Sequence, residues 1–211
     1  MKAIPRDPES REVVDRYIKS FEVLLRLLDA DAIARIVKYF EEVRERRATI
    51  YIAGNGGSAS TASHWVNDLG KATKRFGQTP IKVMSLSDNV SWLTALANDE
   101  GYDRVFSGQL ENFACPGDLL IVISASGNSP NLVRAVELAR SRGVRTVGLL
   151  GFDGGVLKTL LDDALWLPTE KGAYGLVESA HSLLCHMVTD CLVRESLAVS
   201  DSDGQKPAYS D

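Results

Sequence analysis

Two pairs of side chains in this sequence have the types and spacing to move a proton or hold an ion. His64 precedes Asp68 by four residues, and Glu178 precedes His186 by eight. On α-helices those intervals put the partners about 40° and about 80° apart around the axis, on one face in each case. Two imidazoles and two carboxylates converging on one point would suit zinc or a similar divalent metal. A carboxylate beside an imidazole would also make a base and an acid. The same spacing describes an ordinary surface ion pair, so chemistry requires that the fold bring the two helices together.

Two loops have the composition of anion seats. Gly54-Asn55-Gly56-Gly57-Ser58-Ala59-Ser60 follows the apolar run Thr49 to Ala53 and leads into a segment of helical period. Backbone N–H groups at such a helix start can approach an anion closely, and glycine lets them. No Gly-Lys-Ser/Thr follows, so this is not a nucleotide P-loop, and the spacing is not that of a dinucleotide fingerprint. Ser124-Ala125-Ser126-Gly127-Asn128-Ser129-Pro130 puts three serines at another helix start. Ser129 as a cap with Pro130 in the first turn accounts for one hydroxyl; a phosphate accounts for all of them. Asn98 and Asp99 close a further helical segment, where they read equally as capping sequence or as ligand contacts.

The elements that must position these residues are legible as alternation. Short β-branched runs at Thr49 to Ala53, Ile81 to Ser85, Leu119 to Ser124, Arg145 to Leu150 and Ala164 to Leu167 are separated by helical segments near Ser58 to Lys71, Asn89 to Asn98, Asp103 to Phe113, Pro130 to Arg142 and Gly155 to Leu161. A last helix is expected from Leu176 to Arg194. The pattern predicts an α/β domain with a doubly wound, five-stranded parallel sheet, whose ligands sit beyond the carboxyl ends of the strands. Ahead of it, apolar residues recur every three or four positions from Ser10 to Leu28 and again after Asp31, a candidate cap, which predicts an N-terminal helical pair. The expected organisation is therefore helices over 1–48, the α/β domain over 49–198 and a disordered polar tail over 199–211. Trp65, Trp92 and Trp166 are expected to pack, and Cys115, Cys185 and Cys191 to lie inert in apolar surroundings.

Composition narrows the function. The chain has 211 residues, 45% of them hydrophobic, and a formal charge of -4. That charge supplies no general attraction to nucleic acid or to an acidic membrane, and no apolar run approaches the roughly 20 residues of a membrane span. An odd number of cysteines without metal-type spacing, and a charged rather than apolar start, fit a reducing cytoplasm.

Taken in register, Gly54-Asn55-Gly56-Gly57-Ser58, Ala97-Asn98-Asp99, Ser124-Ala125-Ser126-Gly127-Asn128-Ser129 and Gly151-Phe152-Asp153-Gly154-Gly155 resemble the bacterial phosphoheptose isomerases, which are single SIS (sugar isomerase) domains. The resemblance implies isomerisation of sedoheptulose 7-phosphate to D-glycero-D-manno-heptose 7-phosphate in a homotetramer with interfacial active sites. It implies sugar or phosphate contacts at Asn55, Gly56, Gly57, Ser58, Asn98, Asp99, Ser124, Ala125, Ser126, Ser129 and Glu178. It also implies a zinc site of His64, Asp68, Glu178 and His186, with Asp68 the base and His186 the acid. Asp68 stands where that family has glutamate, and Glu178 where it has glutamine. An isomerase of a different sugar phosphate, a non-catalytic relative that binds a protein partner in the manner of the replication-initiator-associating type, and a ligand-sensing regulator module are the alternatives.

Overall fold

The computed structural model describes residues 8–74 and 79–202. Two helices, α1 (Pro8–Leu25) and α2 (Ala30–Glu45), precede β1 (Thr49–Gly54) and α3 (Gly57–Ala72). Then come β2 (Lys82–Ser85), α4 (Val90–Asp99), a 3-10 turn at Tyr102–Arg104, α5 (Ser107–Phe113), β3 (Leu119–Ser124) and α6 (Pro130–Ser141). β4 (Arg145–Leu150), α7 (Leu157–Leu160), β5 (Asp163–Trp166) and α8 (Tyr174–Ser202) complete the chain. Helix α8 continues through 199–202, past the boundary expected at 198, and the rest of the anticipated tail, 203–211, lies outside the described residues, as does the start of the N-terminal segment, 1–7.

All strand pairings are parallel and the order is β2-β1-β3-β4-β5. Side chains alternate across a strand, so each face of the sheet collects every second residue. Ile50, Ile52, Ile121 and Leu149 join one core with Phe40 of α2, Trp65 and Leu69 of α3 and Leu184 and Val188 of α8. Tyr51, Ala53, Leu120 and Val122 join the other with Leu96 of α4, Leu110 of α5 and Leu132 of α6. The sheet is therefore doubly wound, and the strand order reverses between β1 and β3. At that switch point the two flanking loops part and leave a crevice.

Several expectations shift for local reasons. Helix α2 is capped by Asp29 rather than Asp31: the Asp29 carboxylate accepts the N–H groups of Asp31 at 2.9 Å and Ala32 at 3.0 Å. The helix expected over Asp103 to Phe113 is broken, because the buried Gln109 amide takes the Val105 and Leu86 carbonyls at 2.7 and 2.8 Å. Helix α7 begins at Leu157 because Gly154 and Gly155 adopt left-handed φ values of 85° and 54°. Of the tryptophans, Trp65 is buried, Trp92 stacks edge-on against Phe113, and Trp166 is partly exposed beneath the Lys158 ammonium. Cys185 is buried, and that burial pushes its thiol pKa up; Cys115 and Cys191 are at the surface, contrary to expectation.

His181, on α8 beneath the end of β4, is fully buried, and among the described residues its ring nitrogens make no hydrogen bond of good geometry, the Leu150 carbonyl being the polar group that acts on them. Burial disfavours the imidazolium and pushes its pKa down from 6.5 to about 4, opposed weakly by the Leu150 carbonyl. The unfolded chain then binds a proton that the folded chain refuses. Stability attributable to this site is intact above pH 6.5 and declines as pH falls toward about 4, by on the order of 3 kcal/mol at the limit. Urea titrations between pH 7 and pH 4 should show this acid limb, and His181→Leu should flatten it; an unchanged limb in the variant would assign the loss to other groups.

Candidate active site

The serine loop sits at the switch point because β1 and β3 are neighbours, with Gly54 paired to Ile123. Its hydroxyls are held by its own backbone. Gly127 N–H donates to Ser124 Oγ at 3.0 Å and Asn128 N–H donates to Ser126 Oγ at 3.3 Å. An oxygen that already accepts turns its own O–H outward as a donor, which is what a phosphate oxygen requires. Ser129 precedes α6 as expected, with Pro130 in the first turn, but its hydroxyl makes no capping hydrogen bond. The Asn131 side chain accepts the Leu132 N–H at 2.9 Å in its place.

Facing this loop is the glycine turn after β1. Gly56 adopts φ 55°, ψ -123°, a conformation that side chains disfavour, and it starts α3 without a side-chain cap. Asn55 is less available than expected. Its amide forms a reciprocal pair with that of Asn131 at 3.0 and 2.8 Å, and its Oδ1 also accepts from the Tyr102 hydroxyl at 3.0 Å. The two loops enclose a cleft of about 160 Å³ lined by Asn55, Ser58, Ser124, Ala125, Ser126, Ser129, Tyr174 and Glu178, among others. Glu178 reaches it from α8: a Cβ at Gly57 would lie 2.5 Å from the Glu178 carboxylate. Gly57 is thus where two elements approach too closely for any side chain. Asn98 and Asp99 do not line the cleft; they are exposed at the end of α4, where the Asn98 amide donates to Asp99 at 2.7 Å.

The second station lies further along the same two helices. His64 Nε2 is 3.2 Å from Asp68 Oδ2, and His186 Nδ1 is 3.6 Å from the same oxygen. The imidazoles meet edge to face with centroids 5.1 Å apart, and one ligand atom from each of the three residues falls within 4.8 Å of the others. Both imidazoles are half-exposed while Asp68 is less so. Glu178 is not part of this group. It precedes His186 by two helical turns, roughly 12 Å along the axis, and its carboxylate lies against Gly57. Trp65 sets the register of the two helices, its indole N–H donating to Thr189 Oγ1 at 3.2 Å in the buried seam.

Three residues at this end of the sheet, Tyr102, Asn131 and Tyr174, were not legible as site residues. Tyr102 and Asn131 act on Asn55 across 47 and 76 positions of sequence. Tyr174 stands edge-on to Phe152 at the mouth of the cleft. A tyrosine in a polar, glycine-flanked stretch immediately after Asn98-Asp99 was the one available signal for Tyr102.

Residues 16–151 match the family model described as the SIS domain, and the chain belongs to that family. The fold and the serine-rich crevice agree with it. Several curated and solved members of the family that resemble it are phosphoheptose isomerases. It is 41% identical over 153 residues to the phosphoheptose isomerase of Helicobacter pylori (strain Shi470), covering 72% of this chain and 78% of that one. It is 32% identical to the phosphoheptose isomerase of Trichlorobacter lovleyi over 91% of this chain and 98% of that one. The solved phosphoheptose isomerase of Neisseria gonorrhoeae superposes with a TM-score of 0.78 at 28% identity, over 87% of this chain and 96% of that one. The chain is a sugar-phosphate isomerase of the phosphoheptose isomerase type. Among the described residues, no helix is long and apolar enough to cross a membrane.

Proposed function

We propose that this protein interconverts a ketose phosphate and an aldose phosphate in the cytoplasm, with sedoheptulose 7-phosphate and D-glycero-D-manno-heptose 7-phosphate as the pair. The observation that carries the reading is that α3 and α8 each serve both stations. Helix α3 supplies Ser58 to the cleft and His64 and Asp68 to the triad, and α8 supplies Glu178 to the cleft and His186 to the triad. A phosphate seated among Ser124, Ser126 and Ser129 leaves the other end of an extended sugar directed along these helices.

The donor set of the triad fits a divalent ion. Tetrahedral zinc with bonds of about 2.0–2.1 Å to nitrogen separates its ligand atoms by roughly 3.4 Å, and the two contacts to Asp68 are 3.2 and 3.6 Å. His64, Asp68 and His186 would hold the ion with a position left open, and Glu178 would have to swing from Gly57 to join them. When bound, the ion supplies polarisation of the sugar carbonyl. Asp68 removes the proton from C1 of the ketose as His186 gives one to O2, making the enediol; Asp68 then delivers its proton to C2 as His186 takes back the one leaving O1, so both groups end as they began. Asp68 presents Oδ2 to both imidazoles and Oδ1 to the Asn67 amide at 3.3 Å, so the carboxylate is oriented from both sides. The serine loop contributes binding energy far from the reacting carbons.

Assembly follows from α1. Val13, Val14, Ile18, Val23 and Leu27 are each more than half exposed, an apolar face that a monomer would leave in water. A groove of about 390 Å³ between Val23, Leu24, Leu27 and Leu176 continues it. We assign this face to contacts between copies in a homotetramer. Light scattering at micromolar concentration should give about four times the chain mass; a monomer would remove the assignment.

Replacing Ser124 and Ser126 together by Ala should weaken binding of sugar phosphate by at least about tenfold with the fold intact, since each lost bond to a charged group is worth roughly 1.5–3 kcal/mol. Calorimetry decides it, and unchanged affinity would remove phosphate from this cleft. Asp68→Asn should lower kcat by about 100-fold or more while sparing sugar-phosphate affinity, whereas His64→Ala should lower both bound metal and activity. Metal analysis with NMR assays on a panel of ketose phosphates separates the roles. Full activity in Asp68→Asn sinks the assignment of the base. Turnover of another ketose phosphate in preference to the heptose would move the substrate.

A further inference from the structure

The serine loop is bolted to a second loop that does not touch the cleft. Asn128 Nδ2 donates to the Ser126 carbonyl at 2.9 Å, while its Oδ1 accepts the Val156 N–H at 3.0 Å. Beside it the Gly127 carbonyl accepts the Leu157 N–H at 3.0 Å. These bonds satisfy the first free N–H groups of α7, a helix of four residues with little cohesion of its own. Bare backbone completes the contact. A Cβ at Gly127 would lie 1.9 Å from the Gly154 carbonyl oxygen, and one at Gly155 would lie 2.4 Å from that of Ser126.

Asn128 is absent from the lining of the cleft. It borders instead a separate hollow of about 210 Å³ with Phe152 and Asp153. Its side chain therefore acts on the cleft only through the loop. The Ser126 hydroxyl takes the Asn128 N–H, and the Ser126 carbonyl takes the Asn128 amide, so one residue fixes Ser126 from two directions. A loop not held this way must be ordered when its ligand arrives. The entropy of that ordering is lost from affinity, in ground state and transition state alike.

We propose that Asn128 is a positioning residue that presets the serine loop for phosphate by tying it to the turn after β4. The inference rests on the phosphate reading of the cleft. Because the reacting carbons lie at the other station, loosening the loop removes uniform binding and leaves the chemical step alone. A purely structural role would lower stability and kcat together.

The test uses the full chain with Asn128→Ala, and with Gly155→Ala, whose methyl would press on both the Ser126 carbonyl and the Asn128 amide. Kd for inorganic phosphate and for sedoheptulose 7-phosphate, KM, kcat and melting temperature are measured on each. Both variants should raise the two Kd values and KM by about tenfold, with kcat within about twofold of the parent. Unchanged Kd values in Asn128→Ala overturn the proposal, as does a fall in kcat that tracks a fall in melting temperature. If Gly155→Ala fails to fold, Asn128→Ala alone decides. The Ser124→Ala, Ser126→Ala protein separates the two layers of the argument. Retained phosphate affinity in that protein removes the phosphate reading and this proposal with it, whereas lost affinity there beside normal affinity in Asn128→Ala removes only the positioning role.

Discussion

Trp65 lies in the seam between α3 and α8 with 1% of its surface exposed, its ring centroid 5.4 Å from that of Phe40 and its indole N–H on the Thr189 hydroxyl. The Thr189 hydroxyl in turn donates to the Cys185 carbonyl one turn back at 2.8 Å. Burying an indole without a partner for its N–H is costly, so the bond to Thr189 selects one rotational and axial setting of the two helices. His64 is beside Trp65 and His186 is three residues before Thr189. The setting that satisfies the indole is also the one that brings both imidazoles to Asp68. A slip of one turn, about 5.4 Å, would leave the indole unpaired and the triad dispersed. The chemistry of the site is thus a consequence of core packing, which brings His186 of α8 to Asp68 of α3 at the surface.

The same seam governs the cleft through Gly57 and Glu178. A carboxylate at the start of α3 is favourably placed for the helix dipole, and Glu178 lies against Gly57 there. The negative charge nevertheless stands in a pocket whose opposite wall presents serine hydroxyls, and no lysine or arginine is among the described residues that line it. On the phosphate reading proposed above, an anion there would be met first by neutral donors held in advance, while Lys171 borders the adjoining hollow that shares Ser126. Preorganisation of the serine loop consequently carries more weight than it would in a site with an arginine clamp.

The strands were readable because parallel strands buried on both faces are nearly continuous apolar runs. β3, buried at all six positions, and β4 match their expected bounds from end to end. Helix existence was readable from the apolar period, but the break before α5 was not. It depends on the Gln109 side chain taking a carbonyl that a helix would otherwise use, and nothing local announces that choice. In the site, His64 with Asp68 was legible because the pair is intrahelical. The join to His186 was an inference about two helices, and angle alone could not exclude Glu178. The angular difference between Glu178 and His186 is modest, but their separation along the axis is not, and a glutamate side chain held on Gly57 does not span it. Asn131 and Tyr102 were invisible because their partner, Asn55, is distant in sequence.

Within a single chain the candidate site is open to water at its far end. His64 and His186 have side chains 53% and 51% exposed, and Asn98 and Asp99 point into solvent beyond the rim of the cleft. Developing charge on an enediol is stabilised by fixed dipoles chiefly where water is excluded. Within one copy, water has access to both imidazoles, and Asn98 and Asp99 at the end of α4 are exposed, bonded to each other. The apolar face of α1 is adjacent in the fold, since the Tyr17 hydroxyl lies 3.2 Å from Ser179 Oγ, one residue past Glu178. Packing another copy against α1 would therefore bring foreign surface to the same stretch of α8 that carries the cleft. In the assembly proposed above, covering the exposed hydrophobic residues of α1 would bring that foreign surface to the mouth of the cleft beside Glu178.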